Sequence, residues 1–128
     1  MADTDTSTDS HPMQPSTSEP APGRLRPKKP VDHERHWDMD RDIPWDKFDP
    51  EKVDPELLKI IKAASMVEFN AWDYATYLTN VFHDDPQFQE EASAWAYEEV
   101  QHGRSLGRWC EYADPSWSHK DHFDRFVR

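Results

Sequence analysis

Glu99 and His102 stand three residues apart in the stretch Trp95-Ala96-Tyr97-Glu98-Glu99-Val100-Gln101-His102-Gly103, an E-x-x-H pattern inside a long helical periodicity. Residues i and i+3 of a helix share a face about one turn apart, so a carboxylate oxygen and an imidazole nitrogen can converge on one ion. Both are ligands for a transition metal. A further carboxylate, Glu68, lies in the preceding helical stretch. These three residues are the candidate metal ligands.

Their positions in the apolar rhythm add to the argument. Phe88, Ala92, Trp95, Glu99, His102, Leu106, Trp109 and Ala113 follow alternating steps of four and three, the core stripe of a bundle helix. Leu57, Ile61, Ala64, Glu68, Ala71, Ala75, Leu78 and Phe82 do the same before it. This reading puts ionisable groups in both core seams. An isolated buried carboxylate is costly, so the seams call for a compensating partner, and a cation would serve.

Helix signals set the elements that must position the trio. Asp54-Pro55-Glu56 reads as N-cap, first-turn proline and first-turn acid, and Asp85-Pro86 repeats the signal. The spacing predicts one helix over 55–82 and a second over 86–113, the latter stopped by Asp114-Pro115. The short turn around 83–85 forces them antiparallel. Glu68 precedes that turn by about as many residues as Glu99 and His102 follow it, which at about 1.5 Å per residue sets all three ~24 Å from the turn. They are expected to meet across the hairpin. Gly103 and Gly107 cost about 1 kcal/mol each against alanine in a helix interior and so imply close approach of a neighbour beside the site.

The remaining segments are read by composition. Residues 1–36 are rich in Ser, Thr, Pro and Asp and poor in large apolar residues, the signature of a disordered tail. Within it, the basic cluster at 24–29 reads as a solvated linker, and His11, His33 and His36 show no ligand spacing. Residues 37–54 bring Trp37, Met39, Ile43, Trp45, Phe48 and Val53, too apolar for a free tail and too interrupted by proline for a helix. They are expected to form an extended arm packed on the helices of 55–113. In 114–128, Phe123 and Phe126 look like the opening of a third, truncated helix.

Charge and cysteine content narrow the function classes. The net charge of −11 divides as −4 for residues 1–50 and −7 for residues 51–128, which argues against nucleic acid and anionic membrane as partners. The single Cys110 excludes an internal disulfide and reads as a small buried hydrophobe. The chain shows neither the basic start and apolar run of a signal peptide nor ~20 consecutive apolar residues for a membrane span, giving a cytoplasmic expectation. Neither an internal repeat, nor a Gly-rich phosphate loop, nor a nucleophile motif is present.

With Glu68 in register with Glu99-Val100-Gln101-His102, residues 55–113 resemble the first half of a ferritin-like di-iron carboxylate protein, the superfamily of ferritins, rubrerythrins and bacterioferritins. In that family one helix gives a Glu and its partner gives E-x-x-H, and a second such pair completes a two-metal site in a four-helix bundle. The resemblance implies an all-α fold, an antiparallel two-helix hairpin forming half of such a bundle. It implies Glu68 as terminal ligand, Glu99 as bridging carboxylate and His102 as nitrogen ligand of a di-iron or di-manganese centre. The implied chemistry is oxidation of Fe(II), as in a ferroxidase, or an oxygen- or peroxide-dependent oxidoreductase reaction.

One departure stands out: this chain carries one Glu and one E-x-x-H where the family site uses two of each. Either two copies pair into a homo-oligomer, as the resemblance to short encapsulated ferritins implies, or the chain is the N-terminal half of a longer protein. The competing reading is a non-catalytic helical scaffold module in which Glu68, Glu99 and His102 form a structural pair. Tyr74 and Tyr97 are candidate redox-active neighbours, with packing as their ordinary role. Trp72, Trp95 and Trp109 on the hairpin faces imply an apolar surface that a partner would cover.

Overall fold

In the computed structural model, residues 25–27 and 37–127 are described, and among them the secondary structure is helical. The tail reading of 1–36 lies outside the described residues except at 25–27. There, Leu25 lies against the second long segment: its backbone N–H donates to Asn80 Oδ1 (2.7 Å) and its carbonyl accepts from Asn80 Nδ2 (3.0 Å).

The arm begins with a short helix, α1 (Met39–Asp42), whose N-cap Asp38 accepts from the backbone N–H groups of Asp40 and Arg41. Two single 3₁₀ turns follow, Trp45–Lys47 and Pro50–Lys52. Pro44 and Pro50 stand at the starts of the two turns and keep the element before each from running on, so the arm is a string of short turns where an extended arm was expected. It is fastened to the long helix by Met39, which is buried, by Phe48 edge-on to Trp109 and Tyr112, and by an Arg108–Asp40 ion pair of 2.6 Å.

Helices α2 (Pro55–Phe69), α3 (Ala71–Val81) and α4 (Pro86–Ala113) make the body. Asp54 and Asp85 cap α2 and α4 through their side chains, each with proline in the first turn. The single helix expected over 55–82 is divided at Asn70. The Asn70 N–H is shared between the Met66 and Val67 carbonyls at 3.2 and 3.3 Å, and the Asp73 N–H closes back on Asn70 O at 3.1 Å. Such bifurcated, tightened bonding marks a helix terminus. The Asn70 side chain makes no cap there, and its buried Oδ1 lacks a hydrogen-bond partner among the described residues, so the break rests on the backbone bonds alone.

Both α2 and α3 run antiparallel to α4. Phe82 meets Phe88 at one end (centroids 4.3 Å apart), Phe69 backs onto Gly103 in the middle, and Lys62 Nζ pairs with Asp114 at 2.9 Å at the other. Asp114 also accepts from Ser116 Oγ, and that bond together with Lys62 holds its carboxyl down to about 2. A last helix, α5 (His119–Phe126), is capped by Ser118 and folds back on α2 and α4. Its Phe123 ring stands edge-on to Phe69 at 4.7 Å, and both rings are fully buried.

The core seam of α4 lies one position away from the expected one. Its buried residues are Ala92, Ser93, Ala96, Val100, Gly103, Gly107 and Cys110, whereas Trp95 is 42% exposed. On the other side, Ala71 and Ala75 of the expected seam are buried as expected, but Leu57 and Phe82 are exposed, and Ser65, Met66, Phe69 and Thr79 are buried beside them. The reason is size. Small residues on α4 let the backbone of α2 approach closely enough that a Cβ at Gly103 would stand 2.4 Å from the Phe69 nitrogen. A stripe that included Trp95 would hold the helices apart. Glu99 and His102 therefore flank the seam and do not fill it.

Candidate metal centre

Glu68 leaves α2 one residue before Phe69, and His102 leaves α4 one residue before Gly103, so the close backbone crossing at Phe69 and Gly103 brings these two side chains together. His102 Nδ1 lies 3.3 Å from Glu68 Oε1 and 3.7 Å from Glu99 Oε1. One ligand atom from each of the three residues falls within 4.8 Å of the others, the arrangement proposed from spacing. The side chains keep 32%, 23% and 43% of their surface for Glu68, Glu99 and His102, so the site opens on one side to solvent.

That openness corrects the burial argument. These charges are partly solvated, and no large desolvation penalty demands a cation. What remains is a modest effect on Glu68. Burial, followed by the neighbouring Glu99 carboxylate, pushes the Glu68 pKa above its ordinary value, and His102 offsets part of the effect.

The donor set fits a first-row divalent ion. With metal–ligand distances of about 2.1 Å, adjacent donors of such an ion stand about 3.0 Å apart. The observed 3.3 and 3.7 Å need only small carboxylate rotations to reach that. Two carboxylates and one imidazole, with the rest of the sphere open, match the ligand preferences of iron and manganese.

Sequence reasoning missed Trp37. Its indole stacks on the His102 imidazole with centroids 6.0 Å apart and planes inclined by 19°. Trp37 Nε1 donates to Glu98 Oε1 (3.1 Å), and Gln101 Nε2 donates to the Trp37 carbonyl (3.0 Å). The arm was expected to pack on the helices, but no spacing rule links residue 37 to residue 102. Tyr74 packs against the core cluster and Tyr97 is partly buried.

A second histidine, His119, is buried under Gly107 with its Nε2 lacking a hydrogen-bond partner among the described residues. Phe69, Phe123 and Trp117 surround its ring. Burial depresses its pKa, against the opposing pull of Glu111. It stands apart from the trio as a packing residue. Compared with known proteins, the chain matches no family model, no curated protein and no solved structure. No helix is long and apolar enough to cross a membrane among the described residues.

Proposed function

We propose that this chain is a ferritin-like iron-binding protein whose Glu68, Glu99 and His102 form half of a di-iron carboxylate centre. In this reading, α2 and α3 together with α4 make the antiparallel hairpin that supplies half of a four-helix bundle. The observation that carries it is the convergence of two carboxylates and an imidazole from two helices within 4.8 Å, on a side open to solvent. Burial and the neighbouring Glu99 carboxylate raise the Glu68 pKa, and a cation held between the carboxylates would oppose that shift. Glu99 and His102, the latter through Nδ1, would hold the ion together with Glu68. Iron, or manganese, bound there supplies redox and Lewis-acid chemistry, with oxidation of Fe(II) or an oxygen- or peroxide-dependent oxidation as the activity.

The half-site needs a complement, and the surface supports a homo-oligomer or a missing C-terminal half as its source. Leu57, Ile60 and Val67 on α2 and Tyr77 and Val81 on α3 are exposed at 47–65%. Leu57, Ile60 and Val67 share one face of α2 by their helical spacing, and an exposed apolar face is the kind of surface a partner covers. The negative charge that disfavours nucleic acid and membranes suits cation uptake. The lone Cys110 stays a thiol in a reducing compartment, consistent with work in the cytoplasm.

One observation favours a second reading. A 3.3 Å Glu68–His102 contact is also what a plain ion pair in a helical scaffold module would show. Anaerobic Fe(II) loading followed by metal analysis and sedimentation separates the two. The ferritin-like reading expects about one ion per chain, two per pair, with association promoted by metal. A chain that binds no Fe(II) in excess metal, at any state of association, refutes it.

A further inference from the structure

The arm and α4 run in step toward the trio. Phe48 lies against Trp109 and Tyr112, Asp40 pairs with Arg108, and the Met39 sulfur accepts from Ser105 Oγ at 3.5 Å. Trp37 ends this register at His102, held at both its ring nitrogen and its carbonyl by Glu98 and Gln101. Glu98 and Gln101 each stand one residue before a member of the E-x-x-H pair, Glu99 and His102, so one segment of α4 carries both the ligands and the grip on the tryptophan.

The imidazole of His102 is 43% exposed, and its orientation decides whether Nδ1 faces the two carboxylates. An imidazole otherwise fixed only by a partly solvated carboxylate turns readily about its Cβ–Cγ bond. A stacked indole opposes that turn, since the two rings would have to separate first.

We propose that Trp37 is the positioning residue of the cation site: the arm is a strap that locks His102 with Nδ1 toward Glu68 and Glu99, so that strap docking and divalent-cation binding reinforce one another. This rests on the metal reading of the trio given above. Reciprocity follows from linkage: if the docked strap raises cation affinity, the cation must tighten the strap by the same factor.

Co(II), added anaerobically to the full chain, serves as the probe because its visible absorption reports ligand geometry. The affinity and the absorption band are measured for the parent, Trp37→Ala, Trp37→Phe and the double variant Glu98→Ala/Gln101→Ala, which loosens the tryptophan from a helix surface that tolerates alanine. Amide exchange over residues 37–48 is followed with and without Co(II). Loss of a group that orients a ligating histidine weakens binding on the order of 10-fold. The expected result is that loss in Trp37→Ala with an altered band, recovery in Trp37→Phe, a smaller loss in the double variant, and exchange over 37–48 slowed by Co(II) in the parent and in Trp37→Phe but not in Trp37→Ala.

Equal affinity and an unchanged band in parent and Trp37→Ala, with exchange indifferent to Co(II), overturn the strap while leaving the metal site standing. No Co(II) bound by the parent overturns both. Should Trp37→Ala fail to fold, the double variant decides, and parent-like affinity there counts against the strap.

Discussion

Gly103→Ala tests the contact on which both the fold and the site depend. A Cβ at that position meets Phe69 backbone atoms at 2.4 Å (N) and 2.6 Å (Cα) and Phe69 Cβ at 2.7 Å. Ordinary carbon contacts sit at about 3.5–4.0 Å, so α2 must retreat from α4 by about 1 Å. No side-chain rotation relieves the clash, because the obstacle is backbone. Overpacking of this kind costs about 1–3 kcal/mol, and a rigid neighbour argues for the upper end. The alanine returns about 1 kcal/mol of helix propensity. The net loss is then about 2 kcal/mol, a fall in Tm of roughly 8–16 °C for a domain of this size.

The same retreat carries Glu68 away from His102, widening their 3.3 Å separation, so cation affinity falls with stability. Gly107→Ala is the internal comparison. Its Cβ would meet the His119 ring, at 2.4 Å from Cδ2, but that ring belongs to α5, which can shift as a unit at the end of the described chain. A smaller loss of Tm with cation affinity retained is expected there. The assay is thermal unfolding by circular dichroism with parallel Fe(II) titration. A Gly103→Ala chain as stable as the parent or more so would mean that the propensity gain is realised and the helices do not touch, which refutes the geometry.

Ligand removal should separate metal binding from folding: His102→Leu and Glu99→Gln are expected to abolish stoichiometric Fe(II) binding while shifting the metal-free stability by less than about 1 kcal/mol, because partly exposed pairs contribute little; a fall of 3 kcal/mol or more in the metal-free protein supports the structural pair instead. Glu68 has a raised folded pKa, so its contribution to stability is full below its unfolded value of about 4.5 and is lost as pH rises through the folded value. Glu68→Gln should therefore raise the metal-free Tm at pH 7, and an unchanged or lower Tm would count against it. His119 has the opposite sign: its folded pKa is depressed below 6.5, so its contribution is full above that value and is lost as pH falls through the folded one. Urea unfolding at pH 7 and pH 5, with tryptophan fluorescence as reporter, should show a loss on acidification that His119→Phe reduces; equal acid sensitivity in both chains would refute the assignment.

The parts of this molecule that could be read from sequence are those decided by neighbours in the chain. Asp54-Pro55 and Asp85-Pro86 start α2 and α4 because capping acts over two or three residues, and the structure has both caps in place. Glu99 and His102 share a face for the same reason, and Gly103 and Gly107 do mark close approach. The division at Asn70 was harder to see, since neither proline nor glycine stands there and shared hydrogen bonds alone end the helix. The stacking of Trp37 on His102 joins positions about half the chain apart and follows from no local rule.

The displaced seam is the instructive difference. Steps of four and three are satisfied equally well by two adjacent stripes on α4, one through Trp95, Glu99 and His102 and one through Ala96, Val100 and Gly103. Hydrophobicity alone favours the first, because tryptophan outweighs alanine. Packing selects the second, because two helices bury most when small residues let their backbones close together. Moving the seam by one position places the ligand trio at its edge, where solvent and cations reach it, while the glycine contact beneath still sets the spacing of Glu68 and His102. A trio inside the seam would have been a costly buried cluster. At the edge, the proposed site would be open to an exchanging ion, and the proposed strap through Trp37 would act on an imidazole that is 43% exposed.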